Sequence, residues 1–141
     1  MSIKWTSELI TGIDFIDRQH KAFVTIMYRL LEAMKNGEGK EELPNTLRFM
    51  EFHAIKALKA EEEFMEKIGY PGADFHFTQH KHFHEELAAL KDMYSQNGYT
   101  VSLPLTFQRK MGDWLHHHVA KTDVILGDYV SSNKKIMEEI S

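Results

Sequence analysis

Four stretches of this chain repeat apolar residues at alternating three- and four-residue steps, and each of the four stripes is interrupted by an ionisable side chain. The first reads Ile16, His20, Phe23, Met27, Leu30, Met34, and the second Leu43, Leu47, Met50, Ala54, Ala57, Glu61, Met65, Ile68. The third reads His76, His80, Phe83, Leu87, Leu90, Tyr94, and the fourth Phe107, Met111, Trp114 or Leu115, His118, Thr122. This is the 3.6-residue period of helices that bury one face. Gly and Pro separate the stripes at Asn36 to Gly39, Gly69 to Gly72 and Asn97 to Pro104, and Pro104 suits the first turn of a fourth helix, where its missing N–H has no intrahelical partner. Four amphipathic helices on short connections predict an all-α fold, an antiparallel up-down-up-down four-helix bundle. Residues 1–15 are expected as an N-terminal arm that packs through Trp5 and Ile13, and residues 124–140 as a short C-terminal helix. At 141 residues the chain is expected to form a single domain over 1–141.

Composition narrows the functions. There is no cysteine, which excludes disulfides, iron–sulfur clusters, thiolate zinc sites and cysteine nucleophiles. The net charge is −4 with Lys and Arg scattered, so no basic stripe is available to neutralise phosphates, and neither nucleic acid nor a membrane is an expected partner. No apolar run approaches the roughly 18 to 20 residues of a membrane span, and MSIKWTSELITG lacks the pattern of a signal peptide. A cytoplasmic protein is expected.

The count of histidines is high, at nine. A lone inward histidine is more often a core residue with a satisfied hydrogen bond than a ligand. Five inward ionisable groups on four helices are a different case. Burying His20, Glu61, His76, His80 and His118 without partners costs several kcal/mol for each unpaired group, and a shared metal ion removes that cost. His76 and His80, at i and i+4, lie one turn or about 5.4 Å apart on one face, which lets both reach one ion. Nitrogen and carboxylate donors without sulfur suit iron, zinc or manganese, and a carboxylate shared among histidines in a helical bundle is the usual setting of a di-iron or di-manganese centre. By position, His82, His84, His116 and His117 are expected to be solvated or peripheral, as are Glu62 and Glu63, while His53 is ambiguous.

The pattern resembles the hemerythrin family in its stand-alone bacterial form. Trp5, Gly12, Ile13, Asp17, His20 and Lys21 are similar to the family's entry motif. Glu61, Met65 and Gly69-Tyr70-Pro71 look like its second-helix glutamate and the turn after it, and His76 with His80 looks like its third-helix pair. Trp114-Leu115-His116-His117-His118-Val119 with Asp123 resembles its fourth-helix motif. The resemblance covers nearly the whole chain and implies two Fe ions with a bridging oxo or hydroxo group and O2 as ligand. It implies His76, His80 and His118 on one iron, His20 on the other, and Glu61 and Asp123 as bridges. Asp123 enters only through the resemblance: on an ideal helix, at about 100° per residue, it points roughly 140° away from His118.

One position departs from the family's pattern. Where the family has a histidine four residues before the bridging glutamate, this chain has Ala57. Three outcomes are open: a di-iron site with water or an exogenous ligand in the gap, one ion at the three-histidine position only, or a replacement ligand drawn from Glu62, Glu63 or His53. The function expected is O2 binding, as a carrier, store or sensor, rather than enzymatic turnover. The alternatives are an oxidase or peroxidase that uses the open position, and a regulatory metal-binding module.

Overall fold

A computed structural model describes residues 5–140, with the backbone only for residues 134 and 140. The expected arm therefore lies partly outside the described residues, at 1–4. Helix α1 spans Asp14–Lys35. Helix α2 runs as Gly39–Phe49, a π-helical segment Met50–Ala54, and Ile55–Ile68 without a break. Helix α3 spans Ala73–Asn97. Helix α4 runs as Ser102–Trp114, a π-helical segment Leu115–Asp123, and Val124–Ser131. A short helix α5, Lys134–Ile140, follows. Each of α1, α2 and α3 packs against the next and α4 closes on α1, giving the four-helix bundle.

The C-terminal boundary differs from expectation. Residues 124–131 prolong α4, because Leu126 and Val130 keep the apolar stripe in the core. The break falls at Ser132 and Asn133, where Asn133 Oδ1 accepts the backbone N–H of Ile136 at 3.3 Å and opens α5.

Two apolar clusters flank a polar layer. One holds Phe23, Met27, Leu30, Leu43, Met50, Phe83 and Phe107, and the other Ile13, Ile16, Met65, Leu126 and Val130. Every long helix crosses from one cluster to the other through its polar stripe residues. In α1 the order is Ile16, His20, Phe23, and in α2 it is Leu58, Glu61, Met65.

The arm fixes where α1 begins. Asp17 accepts the backbone N–H groups of Thr11 (2.9 Å) and Gly12 (3.1 Å) and the Thr11 hydroxyl (2.8 Å), which turns the chain into the helix through Gly12 at φ 84°. The Thr11 backbone lies on Gly127 of α4, where a Cβ would meet its carbonyl oxygen at 2.0 Å. Farther out, Trp5 packs on the larger cluster, and Lys21 Nζ lies 5.4 Å from its ring centroid. Helix α2 ends on Gly69 at φ 64°, with Tyr70 N–H reaching the Met65 carbonyl at 3.0 Å, a left-handed cap that only glycine adopts without strain.

Candidate metal centre

All six residues singled out in the sequence converge at the polar layer. Glu61, His76, His80, His118 and Asp123 each offer a donor atom, and these atoms lie within 4.8 Å of one another. None of the five is more than 2% exposed. His20 faces the same group from α1, with its side chain 12% exposed.

The two carboxylates divide their oxygens between two sides. Asp123 Oδ1 lies 2.7 Å from His76 Nε2 and 3.1 Å from His118 Nε2, while its Oδ2 lies 3.1 Å from His20 Nε2. Glu61 Oε1 contacts His76 Nε2 and lies 3.4 Å from His80 Nε2 and 3.9 Å from His118 Nε2. Glu61 Oε2 lies 3.9 Å from His20 Nε2. Asp123 reaches this position because Leu115–Asp123 is wound as a π-helix. Its i→i+5 hydrogen bonding brings a residue five along nearly back onto the same face, so the 140° offset of an ideal α-helix does not arise.

The histidine tautomers follow from the surroundings. His80 Nδ1 donates to Glu62 Oε2 at 2.7 Å, and His118 Nδ1 lies 2.5 Å from Gln79 Oε1. A carboxylate or amide oxygen only accepts, so both imidazoles keep the proton on Nδ1 and aim an Nε2 lone pair inward when neutral. Trp114 stacks on His118, with centroids 3.9 Å apart and planes 10° from parallel, and fixes the ring plane. The inward Nε2 atoms of His76, His80 and His118, with Glu61 Oε1 and both Asp123 oxygens, are buried and make no hydrogen bond. Buried polar atoms left in this state are costly, and their chemistry is that of nitrogen and oxygen ligands aimed at a cation, so the residues present fit a metal ion.

Without a metal the cluster must balance its own charge. Burial and Asp123 push the Glu61 carboxyl up, but the facing His118 and His76 imidazoles leave it below its ordinary value. Burial likewise raises Asp123, yet the charge of His118 and the closeness of the His118 and His20 imidazoles hold it well below the usual carboxylate range. Burial disfavours protonation of His76, but Asp123 and Glu61 push it up to about 9, and His118 moves in the same direction against its own burial. Protons thus take the place of a cation, and metal binding must displace them.

Glu62 departs from the expectation of a solvated patch, being half-buried against His80. Gln79 was not marked by any pattern in the sequence. Their partners sit on other helices, 18 and 39 residues away, so no local spacing signals either residue. Glu63, His53, His82, His84, His116 and His117 are exposed, and His82 pairs with Glu86 at 3.2 Å. His53 packs against Phe49, with centroids 5.1 Å apart and planes tilted by 31°. Ala57 is half-buried, and Leu58 takes the buried position beside it. Beside the centre, a cavity of about 550 Å³ lies between α1 and α2, with His20, Ala57 and Glu61 among its walls.

Histidines and carboxylates brought together from four helices form a cluster able to coordinate metal ions in the interior of a helical bundle. Residues 11–130 match the family described as Hemerythrin HHE cation binding domain. The chain is 30% identical over 133 residues to a bacteriohemerythrin of Methylococcus capsulatus, covering 91% of this chain and 96% of that one. It is 27% identical to a bacteriohemerythrin of Stenotrophomonas maltophilia, covering 92% and 82% of the two chains, and 28% identical to one of Campylobacter jejuni, covering 86% and 90%. The chain belongs to the hemerythrin family. Among the described residues no helix is long and apolar enough to cross a membrane.

Proposed function

We propose that the chain holds two iron ions and binds O2. In this reading His76, His80 and His118 serve one ion, His20 serves the other, and Glu61 and Asp123 bridge them. The observation that carries it is the divided orientation of the carboxylates, one oxygen of each toward the three-histidine side and the other toward His20. Iron bound by these residues would supply the electrons for reversible O2 binding. The chain's own residues hold the imidazoles in the ligating tautomer, through Glu62 and Gln79, and keep water from the three-histidine side. Ala57 is read as standing where a second terminal imidazole belongs. A methyl group cannot ligate, and Glu62 is already engaged with His80, so that position is left to water, to a molecule entering from the cavity, or to His53, which lines the same cavity.

Loading with ferrous iron in the absence of O2 tests this reading. About two irons per chain are expected, as in a bridged carboxylate site, followed by visible charge-transfer absorption on admitting air. One iron and no such absorption would remove O2 binding and leave a mononuclear site. Ala57→His should increase iron retention, and unchanged iron content would show that the gap is filled from elsewhere.

The cavity favours a second reading, an oxidase or peroxidase that turns over a reducing substrate beside the open position. Turnover that Ala57→His suppresses would separate it from carriage.

A further inference from the structure

The two sides of the centre differ in exposure, although each has a cavity beside it, one of about 660 Å³ with Gln79, Trp114 and His118 in its walls and one beside His20. His76, His80 and His118 are no more than 2% exposed, whereas His20 keeps 12% of its side-chain surface and lines the cavity between α1 and α2. At about 550 Å³ this space exceeds what a diatomic gas or one water needs, since liquid water takes about 30 Å³ per molecule, and it falls in the range of about 300–1,000 Å³ used by small organic ligands. Side-chain size explains it. Ala54, Ala57 and Ala60, at three-residue spacing on α2, and Ala22 on α1 are too short to fill the gap between the two backbones.

The wall is apolar through Phe23, Leu58 and Phe83, and its polar side chains fall into two groups, one beside the centre and the other made of Arg18, Gln19, His53 and Lys56. Inside are His20 and Glu61, and Glu61 is the only acidic residue of the lining, with both oxygens turned to imidazoles. The lining also includes two cations on exposed residues, Arg18 and Lys56. Arg18 is paired with Asp14 at 3.1 Å, whereas Lys56 has no carboxylate within ion-pair distance among the described residues. An apolar slot with one uncompensated cation at its solvent side fits an apolar ring bearing a single negative charge.

We infer that this cavity binds a small aromatic carboxylate, its ring against Ala57, Phe23 and Leu58 and its carboxylate at Lys56. The far edge of the ring then lies toward His20, where a substrate of the second reading would sit. Binding depends on the shape and charge of the cavity, and only the chemistry that could follow rests on the di-iron reading.

The probe is benzoate, titrated into the full-length protein as isolated and again after chelation, with metal content measured on each sample. Binding is read by calorimetry and by the emission of the tryptophans, of which Trp114 lines the cavity. Saturable binding at one site is expected. Ala57→Phe should weaken it by at least about tenfold by occupying the ring space, and Lys56→Gln by up to about fivefold, the worth of one exposed charge pair. Benzyl alcohol, the neutral counterpart, should not respond to Lys56→Gln. Should Ala57→Phe fail to fold, Ala60→Leu fills the same wall and carries the same expectation. Absence of saturable benzoate binding overturns the proposal, as does binding that Ala57→Phe or Ala60→Leu leaves unchanged in protein with native circular dichroism. Protein that takes up iron but not benzoate rejects this inference and keeps the di-iron reading. Protein that binds benzoate but never retains iron does the reverse.

Discussion

Glu62 Oε2 accepts the Nδ1 proton of His80 at 2.7 Å, from a helix different from the one that carries the histidine. The contact fixes which ring nitrogen carries the proton and so directs the Nε2 lone pair at the centre. A partner of this kind contributes about 10- to 100-fold to metal affinity in related sites. Glu62→Ala should therefore lower iron affinity by that factor in a chelator competition, and Gln79→Ala should do the same through His118. Glu62→Gln, which still accepts a hydrogen bond, should recover most of the loss. Equal losses in Glu62→Gln and Glu62→Ala would mean that the charge, and not the orientation, matters.

The raised value of His76 makes the stability of the metal-free form depend on pH in a fixed direction. Its folded value, about 9, exceeds its ordinary 6.5, so the folded state holds the proton more tightly. The stabilisation is complete below 6.5, declines as pH rises, and is lost above about 9. The depressed Asp123 works oppositely, stabilising above the ordinary carboxylate value of 3.8 and losing that contribution as pH falls. Bound metal competes with protons for the same imidazoles. The melting temperature of chelator-treated protein should therefore fall between pH 6.5 and 9 while that of loaded protein holds, and the gap between the two should widen. A gap that stays constant across this range would contradict the proton-for-metal exchange.

Asp123 is the group on which three imidazoles converge. Asp123→Ala leaves His20, His76 and His118 with a buried partner missing, and breaking a buried ion pair from one side costs about 3–5 kcal/mol. Metal-free Asp123→Ala should lose stability on that scale in denaturant titration, and should retain iron poorly. Asp123→Asn, which keeps shape and hydrogen-bonding capacity but not charge, should lose less stability and a similar amount of iron. Wild-type iron content in Asp123→Asn would remove the aspartate from the ligand set.

Where the helices are ordinary α-helices, the sequence pattern and the structure agree, because burial enforces the 3.6-residue period. His76, His80, Phe83, Leu87 and Leu90 all face inward as their spacing predicts. The pattern fails where the winding changes. The π-helical segment Leu115–Asp123 brings Asp123 to the centre, a position that α-helical geometry denies it and that the family resemblance alone supplies. In α2 Leu58 and not Ala57 continues the buried stripe, because a four-residue step from Ala54 keeps the helical period as well as a three-residue step does, and the larger side chain takes the core. Glu62 and Gln79 were out of reach for a different reason: their roles depend on which helices become neighbours, and no periodicity within one helix carries that information.

The position of His20 depends on a contact at the far end of α4. Thr11, whose hydroxyl and backbone N–H are held by Asp17 in the first turn of α1, rests its carbonyl on Gly127. Glycine in a helix interior ordinarily costs about 0.5–1 kcal/mol relative to alanine, so Gly127→Ala would stabilise an isolated helix. Here the added Cβ would lie 2.0 Å from a backbone oxygen, and no side-chain rotation relieves a clash with backbone. The arm must move, and overpacking of this kind costs about 1–3 kcal/mol or more. Because Asp17 ties the arm to α1, the displacement should reach His20, one turn further on. Gly127→Ala should therefore melt earlier than wild type and lose iron from the His20 side first, leaving about one iron per chain where the bridged site holds two. A variant at least as stable as wild type, with unchanged iron content, would show that the arm does not set the position of His20.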